Sequence, residues 1–269
     1  MDNVTERPVA ERVRTVLARG AAGTIEAGML RRPLRSARVR DDGVIVLVVD
    51  VGGMSREAGD EARMAAVGAS ATVEIVAAVC TGRCRGAAPR PSFALDGRPV
   101  VRPEGCDDEC VVARGVVTLS GIVTAASDAR RRRLVAADGG GTGTSGDLGS
   151  MRLSELQPLE ITYLGNDGVH LVSRSELAAA SVDPIGVDEQ DWLRRIGSDP
   201  GFAARVALAC GRQIAGTDPR VVGIDGRGLD VAVDSVGGFR EVLRVPFSQV
   251  CRDSDAVRGE LDVLGALGA

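Results

Sequence analysis

Two cysteine pairs carry the most specific chemical signal in the 269-residue chain: Cys80-Thr-Gly-Arg-Cys84 and Cys106-Asp-Asp-Glu-Cys110, 21 residues apart. Four thiolates can complete a tetrahedral zinc site or hold an iron–sulfur cluster. The CxxxC spacing is less usual than CxxC, so structural or regulatory disulfides and plain thiols stay open beside metal binding. Cys80 ends one predicted strand and Cys110 begins the next. Antiparallel pairing with positions summing to 190 would set Cys80 opposite Cys110 and Cys84 opposite Cys106. The four thiols would then tie off an insert over residues 80–110. A closed four-cysteine zinc site is structural, because it leaves no open position for water.

Other chemistry is narrowed by what the chain lacks. All 33 basic residues are arginine, which removes every mechanism that needs a lysine amine. With one histidine, His170, a catalytic triad or two-histidine metal site would have to form around it. His170 lies between Val169 and Leu171 in a predicted strand, and a structural role is the expectation. Cys210 and Cys251 sit in apolar surroundings and read as core thiols. Trp192 reads as a packing anchor. Asp188, Glu189 and Asp191 open a helix, where negative charge suits the macrodipole, and no acid–base role is assigned to them. The Gly-rich loop over 139–149 has no Walker lysine and follows no clear strand, so it is not a phosphate loop.

The net charge of −4 offers no general attraction to nucleic acid or anionic lipid, so neither is expected as a partner. No run approaches the roughly 20 apolar residues that span a bilayer. The polar N-terminus shows no secretory signal, and a cytoplasmic protein is expected. The arginine-only, Ala/Gly/Val-rich composition is that of a GC-rich bacterial genome.

Elements that would position these residues follow from periodicity. Pro8–Arg19 reads as a helix with Val9, Val13, Val16 and Leu17 on one face. Strands are expected at Thr24–Ala27, Ser36–Arg40, Val44–Val49, Thr72–Cys80 and Cys110–Thr124, and helices at Ser55–Val67 and Ser127–Ala136. The unbroken run Val44–Val49 suits a strand buried on both faces. A hairpin is expected from Leu159–Leu164 to Val169–Val172, followed by a capping box at Ser173 and Glu176. Val182-Asp183-Pro184 is the expected boundary between a domain over 1–182 and another over 183–269. The second would carry helices near 188–196 and 201–211, strands Val221–Ile224, Leu229–Val233 and Glu241–Val245, and a final helix from Asp255. That order predicts an α+β domain with helices on a small antiparallel sheet.

The stretch GIDGRGLDVAVDSVGGFREVLRVPF resembles the small domain that ends heme-utilisation (HugZ-like) proteins, through Gly223, Asp225, Gly228, Leu229, Arg244, Pro246 and Phe247. PVAERVRTVLARGAAGTIEA resembles that family's opening helix and first strand. The resemblance implies an α+β protein whose N-terminal domain is a split β-barrel of the pyridoxamine-phosphate-oxidase-like, FMN-binding class. It implies a homodimer holding FMN or heme at its interface, with oxidoreductase chemistry supplied by that cofactor. Arg35, Ser36, Arg38 and Arg40 lie where such barrels meet a flavin phosphate, which arginine suits by bidentate bonding; a basic, solvent-facing strand edge is the other reading. The stretch from Asp191 to Ser198 has none of the histidines the family carries there, which argues against histidine-ligated heme. The alternative function is a non-catalytic dimeric regulator that binds a protein partner, its four-cysteine insert metal- or redox-responsive.

Overall fold

In the computed structural model, residues 8–19, 22–28, 30–50, 68–80, 91–93, 99–101, 111–126, 151–165, 167–199, 201–211, 219–234 and 240–266 are described. The expected helices Ser55–Val67 and Ser127–Ala136, and the loop over 139–149, lie outside them.

The opening helix α1 (Val9–Ala18) buries Val13, Val16 and Leu17, three of the four apolar positions the periodicity singles out. Strands β1 (Ala22–Ala27), β2 (Leu30–Val39), β3 (Ile45–Asp50) and β4 (Ala69–Cys80) follow, with short strands β5 (Pro91–Phe93) and β6 (Pro99–Val101) pairing only with each other. Two 15-residue strands, β7 (Val111–Ala125) and β8 (Met151–Gly165), complete the main sheet. Its order is β3-β2-β1-β4-β7-β8, and β8 also pairs with β3. The sheet therefore closes on itself as a six-stranded barrel. Alternate residues point inward: Ile25, Leu34, Leu47, Ile75, Leu119, Leu156 and Ile161 fill the lumen, each almost wholly buried.

The closing strand is the main departure from the sequence reading, which took only Leu159–Leu164 as strand. Pro158 and the polar residues before it break the apolar alternation. Yet Met151 to Leu156 pairs along all of β3, and a bulge opposite Ser120 and Gly121 absorbs the proline's missing donor. Beyond that stretch, β9 (Gly168–Leu171) pairs with the free half of β8 as the expected hairpin. The capping box forms as read: Ser173 Oγ accepts from Glu176 N, Glu176 accepts from Ser173 N, and helix α2 (Arg174–Ala179) begins.

Past Asp183 come α3 (Pro184–Val187), α4 (Glu189–Ile196) and α5 (Phe202–Ala209). An open sheet of β10 (Arg220–Asp225), β11 (Gly228–Asp234) and β12 (Arg240–Pro246) follows, and α6 (Ser254–Ala266) ends the described chain. The C-terminal part is thus a smaller α+β domain. Its core joins Trp192, Leu193, Phe202 and Val206 from the helices to Ile224, Leu229 and Val245 from the sheet, together with Val79 from β4. Cys251 is a core thiol as expected, 1% exposed, with its pKa pushed up to about 11 by burial and by Glu260, Asp253 and Asp183. Cys210 is not: it is exposed, because α5 ends at Ala209 and Cys210 is its C-cap, past the buried turn. Among the described residues, no helix is long and apolar enough to cross a membrane.

Candidate functional site

Strand β2 sets out the predicted anion-binding residues. Leu34 and Ala37 point into the barrel, whereas Arg35 and Arg38 are exposed and Ser36 half-buried. Leu34 pairs with Val49 and Ser36 with Val48, so Arg35 is the extra residue of a bulge. A bulge re-aims a side chain, and here Arg35, Ser36 and Arg38 share the outer wall. Arg40, just past the strand, lies 2.7 Å from Asp42 and 3.5 Å from Glu155 on β8. The four residues are thus brought together, with Arg40 held by two carboxylates.

The outer face of β8 and β9 carries an apolar patch. Leu164 is directly opposite Val169, and Leu171 opposite Thr162. Leu159, Leu164, Val169 and Leu171 are all exposed, between 49% and 78%. Large apolar side chains grouped on one pair of strands mark a surface that meets something other than water.

The cysteines divide. Strands β4 and β7 pair antiparallel as expected, but Cys80 is opposite Val111, so the register sums to 191 and not 190. A bulge lies on the way: paired positions sum to 192 up to Ala77, opposite Gly115, and to 191 from Ala78, opposite Ala113, which leaves Arg114 as the extra residue and the cysteine end one residue from the expected alignment. Cys84, Cys106 and Cys110 lie outside the described residues. Among the described residues, no three His, Cys, Asp or Glu side chains are grouped to hold a metal.

That bulge builds a feature the sequence reading missed. Arg114 is turned out of the barrel into the C-terminal domain, where its guanidinium lies 3.1 Å from Glu189 and 2.7 Å from Asp230. It passes so close to β10 that a Cβ on Gly223 would fall 2.5 Å from Arg114 Cζ. Glu189, 1% exposed, also pairs with Arg19 and accepts a 2.9 Å hydrogen bond from Ile224 N. Arg244 closes the cluster, donating to Asp225 at 2.6 Å and Asp230 at 3.1 Å. Three arginines thus meet three carboxylates, a neutral set that clamps α1 and β7 to the C-terminal domain. Asp183 adds a second clamp: Oδ1 caps α3 at Ile185 N, Oδ2 accepts from Gly226 N, and its own N–H donates to Thr15 Oγ1.

Charge in this cluster holds protonation states firmly. Burial alone would raise the Asp230 carboxyl, but Arg114 and Arg244 outweigh it and hold Asp230 below the usual carboxylate range. Burial likewise pulls Arg114 down, and Glu189, Asp230 and Asp225 together overcome it and raise its pKa. A depressed folded pKa gives stability that is full above the unfolded value of about 3.9 and lost as pH falls through the folded one. Thermal unfolding followed from pH 6 downward is therefore expected to drop more steeply below about pH 4 than in Asp230→Asn. Equal slopes would show that Asp230 titrates alike in folded and unfolded chains.

Two residues of heme-ligand type, Tyr163 and His170, are engaged on the barrel. Tyr163, 4% exposed inside the barrel, donates its hydroxyl to the Arg114 carbonyl at 2.9 Å. The His170 ring stacks on Tyr163 with centroids 6.3 Å apart, and its Nε2 lies 3.2 Å from Asp167, outside hydrogen-bond geometry.

No family model matches the chain. No curated protein matches it either. Among solved structures, a heme binding protein from Mycobacterium smegmatis is similar over 97% of each chain, with 19% identity and a TM-score of 0.56. A protein of unknown function from Agrobacterium tumefaciens covers 98% of each chain at 14% identity and a TM-score of 0.36. A FAD and heme binding protein from Mycobacterium smegmatis covers 66% of this chain and 79% of its own at 17% identity, with a TM-score of 0.31. The first of these likenesses establishes that the chain has a split β-barrel fold together with the smaller C-terminal domain, shared along nearly its full length with a heme binding protein.

Proposed function

We propose that the chain is a homodimeric cofactor-binding protein that takes the phosphate of a flavin such as FMN on Arg35, Ser36 and Arg38. The outward strip on β2 carries the reading: exposed guanidiniums and a hydroxyl share one face of a split-barrel strand. An oxyanion there gains charge-assisted, bidentate hydrogen bonds. The exposed Leu164–Val169–Leu171 face, shared by β8 and β9, supports a second copy as its cover. Heme propionates could use the same arginines. The residues fit a flavin better, because Tyr163, His170 and Cys251 are all engaged away from β2 and Cys210 sits on the C-terminal domain. A bound flavin would supply redox chemistry; this chain's residues would hold and orient it.

The absorbance spectrum of freshly purified protein, followed by FMN titration, tests this. Saturable binding is expected, and Arg38→Ala should weaken it by about tenfold, the worth of one hydrogen bond to a charged group. A colourless protein indifferent to FMN and hemin would overturn it in favour of the non-catalytic regulator that binds a protein partner.

The second reading concerns the insert, whose two ends the antiparallel pairing of β4 with β7 brings together at Cys80 and Val111. Zinc or an iron–sulfur cluster on Cys80, Cys84, Cys106 and Cys110 would tie the β4–β7 hairpin at its mouth. Anaerobically purified protein should then carry about one zinc, or about two or four irons, per four-cysteine set; less than about half an equivalent of any metal removes the idea.

A further inference from the structure

The C-terminal domain holds a cleft of about 430 Å³ where α4, α5 and α6 converge. Its floor is apolar and aromatic: Trp192, Ile196 and Phe202, each under a tenth exposed, with Leu261 beside them. Three arginines stand around it, and they are not equivalent. Arg205 is committed, donating to Asp199 at 2.5 Å and to the Gly265 carbonyl at 3.1 Å. Arg258 pairs with Asp255 at 2.7 Å across one helical turn, an exposed pair of the kind that contributes little and opens readily. Arg195 has its guanidinium carbon over the Trp192 ring, 5.2 Å from the centroid, and among the described residues no carboxylate is paired with it.

A guanidinium stacked on an indole keeps its N–H donors in its own plane. A guanidinium over the Trp192 face can offer that planar fork to an oxyanion while an apolar body lies over the floor. The size is that of a small-molecule pocket. Asp262 on the same rim sets a limit, since it would repel a second negative group.

We propose that this cleft binds a planar aromatic monoanion, a carboxylate or sulfonate of a few fused rings, with Arg195 as the anion's partner and Arg258 as its second. This holds whether or not the barrel takes a flavin, because the two sites share no residue.

Trp192 is the chain's single tryptophan, so its fluorescence reports on this cleft alone. The full-length protein is titrated with anilinonaphthalene sulfonate, and with neutral phenylnaphthylamine as the uncharged control. Saturable quenching of Trp192 is expected with the sulfonate, and at least about tenfold weaker binding with the neutral dye, with Arg195→Gln and, less severely, with Arg195→Lys. Arg195 is an exposed helix position, so these variants keep the fold. Dye fluorescence without Trp192 quenching would place the dye elsewhere, the Leu164–Leu171 face included, and would overturn the proposal. So would equal affinity in wild type, Arg195→Gln and Arg258→Gln.

Discussion

Replacing Glu189 with alanine is expected to destabilise the protein by about 3–5 kcal/mol, the range for removing one member of a buried ion pair. The carboxylate is 1% exposed, with Arg19 on one oxygen and Arg114 and Ile224 N on the other. Without it Arg114 keeps Asp230, but Arg19 loses its carboxylate and a buried N–H loses its acceptor. The cost is that of charge and donor left uncompensated, not the net worth of the pair, since a well-packed apolar replacement of the whole set could be neutral. Glu189→Gln should fall between, because the amide oxygen still accepts from Ile224 N while the charge is gone. Denaturant unfolding followed by Trp192 fluorescence measures it, since Trp192 lies one helical turn from residue 189. A loss under about 1 kcal/mol would mean that water reaches the cluster and screens it as at a surface.

That Glu189 matters so much was not legible in its own neighbourhood. It reads as an ordinary acid in the first turn of α4, and the macrodipole accounts for it fully. Its partners are 170 residues away at Arg19 and 75 away at Arg114. Nothing in periodicity pairs charges over such spans. The C-terminal stretch was far more readable, because its signals are local. Asp225-Gly226-Arg227-Gly228 forms the expected hairpin turn, with Asp225 Oδ1 accepting from Arg227 N at 2.7 Å. The residues that carry the resemblance also have structural work: Arg244 joins Asp225 to Asp230, Leu229 and Phe247 fill the core, and Gly223 leaves room for Arg114. The motif is thus accounted for by packing and by the junction, and it does not itself locate a ligand.

Registers set the other boundary on what could be read. Antiparallel pairing of β4 with β7 follows from two alternating runs flanking an insert, and it is present. Each bulge shifts the register by one without changing composition, so the pairing of β4 with β7 changes along its own length and cannot be fixed at the cysteines from the flanking pattern. The same applies to Arg35, whose exposure depends on a bulge that Leu34 and Ser36 reveal only through their partners on β3. The first half of β8 was illegible for a different reason: its inward residues include Ser154, and closing the barrel supplies what its own pattern lacks.

Gly115→Ala should cost about 2–4 kcal/mol, combining overpacking of about 1–3 with loss of a buried hydrogen bond of about 1. A Cβ at that position would lie 2.5 Å from Tyr163 Cε2 and 2.6 Å from its hydroxyl, at a φ of +152° that L side chains rarely adopt. The Tyr163 ring has nowhere to retreat, being 4% exposed with its hydroxyl on the Arg114 carbonyl. Tyr163→Phe alone removes that bond while keeping the ring, and should cost about 1 kcal/mol. Tyr163→Leu clears the space, so Gly115→Ala should cost measurably less in that background, a coupling of about 1 kcal/mol or more between touching residues. Strict additivity would show that the ring is not what glycine accommodates. The bulge that needs Gly115 is also what turns Arg114 toward Glu189. Gly115→Ala and Glu189→Ala should therefore be less than additive, because a displaced Arg114 has already lost part of what Glu189 provides. Additive costs would separate the bulge from the ion cluster and leave the barrel and the C-terminal domain joined by the Asp183 clamp and by core packing instead.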